Sequence, residues 1–399
     1  MLPPSAPQLN EKGAHILIID DEPSSCLLLA TILHGAGFAS TAIAHNDTEV
    51  FAEISRHPPD LILLDIIMPR VNGLEVCQKL KKNAQTAQIP VVFLSALEGV
   101  EVKTKAFSAG GVDYITKPYH KKEVLARVAT HVRNSLAMGQ LAAYNHAVGQ
   151  ELLMAEAFQK SLLPSDESLQ TYKTTYALNL AAAFLPCTQL AGDHWAFLPI
   201  DKQTFGIFLC DFSGHGIAAA FEVVRLHSLL YEFRPFWRTP KKLFKHINKR
   251  LSAQLSAASF ATAHYAVFDT NARMVEVLGA GAPALLQLCP SQKTFMFHNC
   301  SGLPLGVDAH KADFSYTKTP YQPHDIFLFY SDALSEAPHK AFGVDFLAAN
   351  PLQTLLNLKP FTADAALKHT LSAYLSAPSA TRNDDLTLVA VQPLEKRNS

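Results

Sequence analysis

Five residues in the first third of the chain, Asp20, Asp21, Asp65, Ser95 and Lys117, carry the side chains needed to hold a divalent cation and a phosphate. Carboxylates brought together repel one another by ~4 kcal/mol per close pair at an effective dielectric of ~20, so the three aspartates make sense around a hard cation. Magnesium fits, because it favours one or two carboxylates together with phosphate oxygens and water. Taken alone, an aspartate at a strand end is as well explained as the cap of the next helix. Five suitable residue types at the ends of apolar runs argue for a single site.

The second half carries its own acids: Asp193 in "LAGDHWAF", Asp211 in "FLCDFSGHG", Asp332 in "IFLFYSDALSEA" and Asp384-Asp385 in "RNDDLTLVAV". Singly these are ordinary turn residues. Four acidic positions without matching lysines suggest a two-metal site, which activates water and clamps the oxygens of an in-line displacement. Gly214 and Gly216 keep bulk away from the turn after Asp211, leaving room for a phosphate near the backbone. No Cys-x5-Arg loop, Walker motif or His/Cys zinc spacing competes for this role.

The elements that must position these residues follow from the hydrophobic pattern. Short apolar runs at 15–20, 39–43, 60–65, 90–95 and 112–116 alternate with helical segments near 24–34, 47–56, 73–83, 99–109 and 120–135. That alternation predicts an α/β, doubly wound five-stranded parallel sheet whose right-handed crossovers put every strand's C-terminal end on one edge. From Thr130 to Leu163 the chain is Ala/Leu/Gln-rich, and Leu141, Tyr144, Val148, Leu152, Ala155, Phe158 and Leu162 recur every three or four residues until Pro164. This helical stripe can be buried against its own neighbours or against the same stripe of a second chain. Beyond Tyr172, strand runs at 174–185, 192–199, 204–211, 261–269, 273–279, 284–289, 324–330 and 385–392 are set apart from helices near 215–232, 241–257 and 363–376. The order indicates mainly antiparallel sheets covered by helices. The expected division is a disordered tail at 1–13, a domain at 14–131, a helical linker at 132–168 and a second domain at 169–395.

Composition narrows the function classes. Of 399 residues, 48% are hydrophobic and 17% charged, which excludes disorder. With 34 basic and 35 acidic residues the net charge is -1. No basic patch or helix-turn-helix segment suggests nucleic acid as a partner. Cysteines 26, 77, 187, 210, 289 and 300 form no C-x-x-C pair and read as free thiols, several of them buried. No run approaches the ~18 apolar residues of a membrane span, so no membrane is expected, and the protein reads as cytoplasmic.

"ILIIDDE", "PDLILLDIIMPRVNG", "VVFLSA" and "GGVDYITKPY" resemble the flavodoxin-like receiver domains of two-component response regulators over residues 14–131. The resemblance implies that Asp20 and Asp21 hold Mg²⁺ together with Asp65, and that Asp65 takes a phosphoryl group from a histidine kinase. Ser95 and Lys117 would sense the new phosphate oxygens. Lys117-Pro118 would form the family's cis-proline turn, and Tyr114 stands where the switch aromatic stands.

From Leu162-Leu163-Pro164 to Gln392 the chain resembles the metal-dependent PPM serine/threonine phosphatases, in the SpoIIE/RsbU-like bacterial branch, through "DFSGHGIAAAF", "ASFATAHYAVFD", "GLPLGV" and "FYSDALSEA". That likeness implies an α/β/β/α sandwich of two mainly antiparallel sheets and two Mn²⁺ or Mg²⁺ ions. Asp211 and the Phe212 carbonyl would bind metal, Asp332 and Asp384 would complete the second ion, and Asp193 would support the cluster. The implied substrate is a phosphoserine or phosphothreonine protein, typically a STAS-fold anti-sigma-factor antagonist. The chain departs from the branch at Ala196, where a second aspartate is usual. It also has Gly279-Ala280-Gly281-Ala282 in place of Asn-Ala-Gly-His, and Ala333 where Gly follows the third ligand. The expected function is a receiver-controlled phosphatase. The alternative is a receiver-gated, inactive phosphatase-like adaptor that binds a sigma factor or another regulator.

Overall fold

The computed structural model describes residues 10–395 except 70–71, 97–98, 256–258, 300–301, 310–313, 315, 335, 337–348, 377 and 379–381. The chain divides into two units, Met1–Gly149 and Gln150–Ser399.

In the first unit, β1 (His15–Ile19), β2 (Ser40–Ala44), β3 (Leu61–Asp65), β4 (Val91–Ser95) and β5 (Asp113–Thr116) alternate with α1 (Pro23–His34), α2 (Asp47–Arg56), α3 (Gly73–Lys82) and α4 (Val100–Ser108). The sheet is parallel throughout in the order β2-β1-β3-β4-β5. Every residue of β1, β3 and β4 is buried. These strands read as unbroken apolar runs because helices cover both faces of the sheet. Ile16, Ile18, Leu61 and Leu63 pack with α1 residues and Val124 and Val128, whereas Leu17, Ile19, Ile62 and Leu64 pack with α2, α3 and α4. Asn46 and Asn72 cap α2 and α3 by accepting N–H groups from Glu49 and Leu74. Within the segment expected to be a tail, Asn10 caps a 3-10 turn at Glu11–Gly13.

The two helical segments expected on either side of Thr130 are one helix, α5 (Lys121–Ser161), of 41 residues. It is ~60 Å long at 1.5 Å per residue. Met138, Leu141 and Tyr144 are exposed, so over 137–147 its apolar side chains are uncovered within the chain. The next helix, α6 (Asp166–Tyr176), occupies positions where a strand was expected from 174. Ser165 caps it, Asp166 and Glu167 suit its positive end, and Ala177 at φ 53° terminates it.

The second unit has two antiparallel five-stranded sheets, ordered β13-β10-β9-β8-β7 and β12-β11-β14-β15-β6. Its strands are β6 (Leu178–Leu185), β7 (Asp193–Pro199), β8 (Thr204–Phe212), β9 (Ala261–Asp269), β10 (Met274–Ala280), β11 (Leu285–Cys289), β12 (Thr294–His298), β13 (Tyr316–Pro320), β14 (Ile326–Tyr330) and β15 (Leu386–Pro393). Helices α7 (Ile217–Glu232) and α8 (Pro240–Leu251) cover the first sheet, and α9 (Ala349–Leu356) and α10 (Ala363–Ser376) cover the second. Phe197, Phe205, Phe268, Phe327 and Phe329 fill the space between the sheets. This is the expected four-layer sandwich. Sequence patterning missed β12 and β13, both edge strands; β13 is almost wholly exposed and carries no apolar alternation. Of the six cysteines, Cys26, Cys77, Cys210 and Cys289 are buried free thiols, Cys187 is half-buried and free, and Cys300 lies outside the described residues.

Gly73 begins α3 directly behind Asp65, and a Cβ there would stand 2.0 Å from the Asp65 carbonyl oxygen. Gly73→Ala should destabilise the first unit by ~1–3 kcal/mol. Both tryptophans, Trp195 and Trp237, are buried in the second unit. The far-UV dichroism transition should therefore broaden to lower denaturant while the tryptophan-fluorescence midpoint stays in place; equal movement of both would contradict this packing.

Candidate functional site

Each unit gathers carboxylates at the ends of its strands. In the first, the strand order reverses between β1 and β3, which opens a crevice beyond their C-terminal ends. Asp20 follows β1, Asp65 ends β3, Ser95 ends β4 and Lys117 follows β5. Ligand atoms of Asp20, Asp21 and Asp65 lie within 4.8 Å of one another, with Asp21 exposed and the other two buried. The Lys117 ammonium donates to Asp20 Oδ2 and Asp65 Oδ2, both at 2.8 Å. The Glu22 N–H holds Asp20 Oδ1 at 2.9 Å. Burial pushes the Asp65 carboxyl above its ordinary range despite Lys117, and the Asp20 charge adds to that rise. Burial alone would lower Lys117, but its two carboxylate partners hold it above the usual lysine value. The peptide Lys117–Pro118 is cis. Tyr114 on β5 has the Lys103 ammonium 4.2 Å and the Arg127 guanidinium 5.6 Å from its ring centre.

In the second unit, β7 and β8 pair with Asp193 opposite Asp211. Asp193 is 1% exposed. The Thr387 and Ser331 hydroxyls ease its burial, but neither carboxylate oxygen makes a hydrogen bond. Burial, then the Asp211 charge, push its carboxyl far above the ordinary range. Asp211 is pushed up to about 8 by burial and by the charges of Asp332, Asp384 and Asp385, and it shares a hydrogen bond with Asp332. Asp332 and Asp384 are raised by the same combination of burial and neighbouring acids. Among the described residues only the first-unit triad brings three ligand atoms within 4.8 Å of one another; in the second unit Asp211 is opposed by Asp332 and Asp384, and Asp332 by Asp384. The buried Asp193 carboxylate, with neither oxygen hydrogen-bonded and the Asp211 charge beside it, fits a divalent cation, whose charge would relieve the repulsion.

Two readings change with the structure. Gly214 and Gly216 sit at φ 93° and 80° with open space where a Cβ would lie, so backbone conformation, rather than crowding, calls for glycine. Ala196 lies three residues beyond Asp193 on the opposite face of β7, packed with Val223 and Leu226 of α7, so a carboxylate there would point away from the acids. Ala333 is likewise buried in the core beneath α9 and α10. Two residues touch the site's framework: Asp385, noted in the sequence only as half of the Asp384-Asp385 pair, and Gln159, which sequence reasoning did not single out. Asp385 accepts backbone N–H groups from Cys187 and Gly192. Gln159, 4% exposed near the end of α5, bonds both ways with Ala191: its Nε2 donates to the carbonyl at 2.7 Å and its Oε1 accepts the N–H at 3.0 Å. A glutamine within an apolar stripe gave the only hint of the latter.

The response regulator receiver domain model matches residues 16–129, and the stage II sporulation protein E (SpoIIE) model matches residues 201–393. The chain thus joins a response-regulator receiver domain to a SpoIIE-type PPM phosphatase domain. It is similar to the DNA-binding dual master transcriptional regulator RpaA of Synechocystis, 38% identical over 135 residues, covering 34% of this chain and 56% of that protein. It is also similar to the transcriptional regulatory protein BaeR of Escherichia coli O6:H1, 38% identical over 126 residues, covering 31% of this chain and 50% of that protein. The chain spans about half the length of these curated relatives. The SiaA-PP2C domain of Pseudomonas aeruginosa superposes with a TM-score of 0.54 at 15% identity, over 63% of this chain and 98% of that one, which shows the shared fold. Among the described residues no helix is long and apolar enough to cross a membrane.

An acid whose pKa is raised on folding favours the folded state while protonated, and that advantage is lost as pH rises from its unfolded value through its folded one. Asp211, raised from 3.8 to about 8, should make the metal-free second unit progressively less stable between those values. Thermal unfolding followed by tryptophan fluorescence in chelator should show that decline. Asp211→Asn should flatten it, and Mn²⁺ should restore stability above pH 7. A pH-independent transition in chelator would contradict the buried-acid geometry.

Proposed function

We propose that this protein is a response regulator whose receiver, phosphorylated on Asp65 by a histidine kinase, controls a metal-dependent protein serine/threonine phosphatase. The observation that carries the reading is Asp193, a buried carboxylate without a hydrogen bond beside Asp211, which is itself opposed by the charges of Asp332 and Asp384. An adaptor would have no use for that arrangement, which lowers stability unless cations are bound.

In the receiver, Mg²⁺ held by Asp20, Asp21 and Asp65 would neutralise the incoming phosphoryl group. The Asp65 carboxylate attacks phosphorus and the bond to the kinase histidine breaks. Lys117, already bonded to Asp65, is placed to follow the new phosphate oxygens, with Ser95 at the end of the neighbouring strand.

In the phosphatase, two Mn²⁺ or Mg²⁺ ions bound by Asp211, the Phe212 carbonyl, Asp332 and Asp384, with Asp193 in support, would supply an activated water and a clamp for the phosphate oxygens. The protein's part is to hold these acids in place. The substrate we favour is a phosphoserine or phosphothreonine protein, such as a STAS-domain anti-sigma-factor antagonist. Asp65→Asn should abolish receiver phosphorylation by acetyl phosphate and leave basal phosphate release intact. Asp211→Asn should do the reverse, cutting Mn²⁺-dependent release more than about tenfold. Wild-type protein that releases no phosphate with any divalent metal would sink the enzyme reading and favour the adaptor.

Control runs through α5. Its uncovered stripe at Met138, Leu141 and Tyr144 would be buried against the same stripe of a second chain, as in a coiled-coil seam. Gln159 near its end grips the segment that leads into Asp193. Leu141→Glu with Tyr144→Glu changes only exposed side chains and should leave folding and receiver phosphorylation unchanged. Sedimentation should then report a monomer, and phosphatase output should no longer respond to acetyl phosphate. A double variant that sediments and responds like wild type would leave α5 as a spacer only.

A further inference from the structure

The six-residue stretch Cys187–Gly192 supplies none of the proposed ligands, yet it delivers the chain to Asp193 and is held by one carboxylate. Asp385, 3% exposed, accepts the Cys187 N–H on Oδ1 at 2.7 Å and the Gly192 N–H on Oδ2 at 2.6 Å. Both distances fall below the ~2.9 Å typical of neutral N–H···O bonds, as charge-assisted bonds do. The Asp385 carbonyl accepts the Ser331 hydroxyl at 3.1 Å, and that hydroxyl oxygen accepts the Thr387 N–H at 3.0 Å. Asp385 therefore ties this segment to the ends of β14 and β15.

The far side of the segment presses on the metal-binding turn. The Phe212 N–H donates to the Gly192 carbonyl at 3.1 Å. A Cβ on Gly192 would lie 2.8 Å from the Gly214 carbonyl oxygen and 3.0 Å from that of Phe212. Gly192 is thus bonded to the Phe212 peptide, leaves no room for a side chain against the Phe212 carbonyl and directly precedes Asp193, so its placement bears on both. Asp384, the neighbour proposed as a ligand, is arranged differently: one of its oxygens accepts the Asp385 N–H at 2.9 Å.

We infer that Asp385 is a positioning residue rather than a metal ligand: by closing Cys187–Gly192 into a ring, it sets where the Asp193 carboxylate and the Phe212 carbonyl meet the ions. The inference rests on the phosphatase reading for its consequence, while the clamp itself can be tested without it.

Asp385→Asn in the full-length chain keeps the shape, but its single oxygen can accept only one of the two N–H groups and its amide faces the other. Amide hydrogen exchange across 187–192 should accelerate with the cores of β8 and β15 still protected. Mn²⁺ affinity, measured calorimetrically, should fall about 10–100-fold with the number of bound ions unchanged, the usual cost of losing a group that orients ligands. Hydrolysis should recover at high Mn²⁺. One fewer ion bound, with exchange at 187–192 unaltered, would make Asp385 a ligand and overturn the inference; wild-type exchange and affinity would overturn it as well. If the variant does not fold, Gly192→Ala displaces the same segment with Asp385 intact and should weaken Mn²⁺ similarly, and unchanged affinity there would count against the route. If the wild-type second unit binds no Mn²⁺, the phosphatase reading fails, and the exchange experiment still decides whether Asp385 holds the segment.

Discussion

The structure depends on like charges held together out of water. Asp20 with Asp65, and Asp193 with Asp211, sit at strand ends where the apolar cores leave little solvent to screen them. The two units meet the problem differently. In the receiver a protein cation, Lys117, bridges the two buried aspartates at 2.8 Å. In the phosphatase the charges of Asp332 and Asp384 oppose that of Asp211, and the carboxyls of Asp193 and Asp211 rise toward protonation. A site balanced by its own lysine is ready for an ion and a phosphoryl group that come and go. A site whose acids oppose one another is relieved by bound ions, and the clustering follows from the aspartates at the strand ends.

Much of this was legible in the sequence. The alternation of apolar runs and helices gave the parallel sheet almost to the residue, because strands buried on both faces leave continuous Val/Ile/Leu runs such as Leu61–Leu64. The convergence of Asp20, Asp65, Ser95 and Lys117 on one edge followed from the topology alone. The sandwich was harder. Tyr316–Pro320 is exposed along nearly its whole length and carries no pattern, and Thr174–Tyr176 belongs to α6 because of capping at Ser165 and Ala177, which a β-rich composition hid. Ala196 looked like a missing ligand until strand parity placed it on the helix-facing side of β7. Asp385 could not be told from Asp384 in the pair "DD", since only the backbone groups it accepts distinguish them.

The segment before Asp193 is where mechanical and electrostatic constraints meet. Asp385 holds it through Cys187 and Gly192, and Gln159 holds it through Ala191 from a helix that begins at Lys121. A change in the end of α5 can therefore reach the acids through one peptide unit and the Gly192–Phe212 hydrogen bond. Control of this kind would require no large motion, because the repulsion between neighbouring carboxylates changes with their spacing.

The account turns on cations relieving that repulsion in both units. Calorimetric titration of the metal-free, full-length protein with Mn²⁺ at pH 7.5 tests it most directly. The expected result is one ion for the receiver, lost in Asp20→Asn, and two for the phosphatase, lost in Asp211→Asn, with protons released as the raised carboxyls ionise. Binding confined to the receiver, with no proton release and no effect of Asp211→Asn, would contradict it.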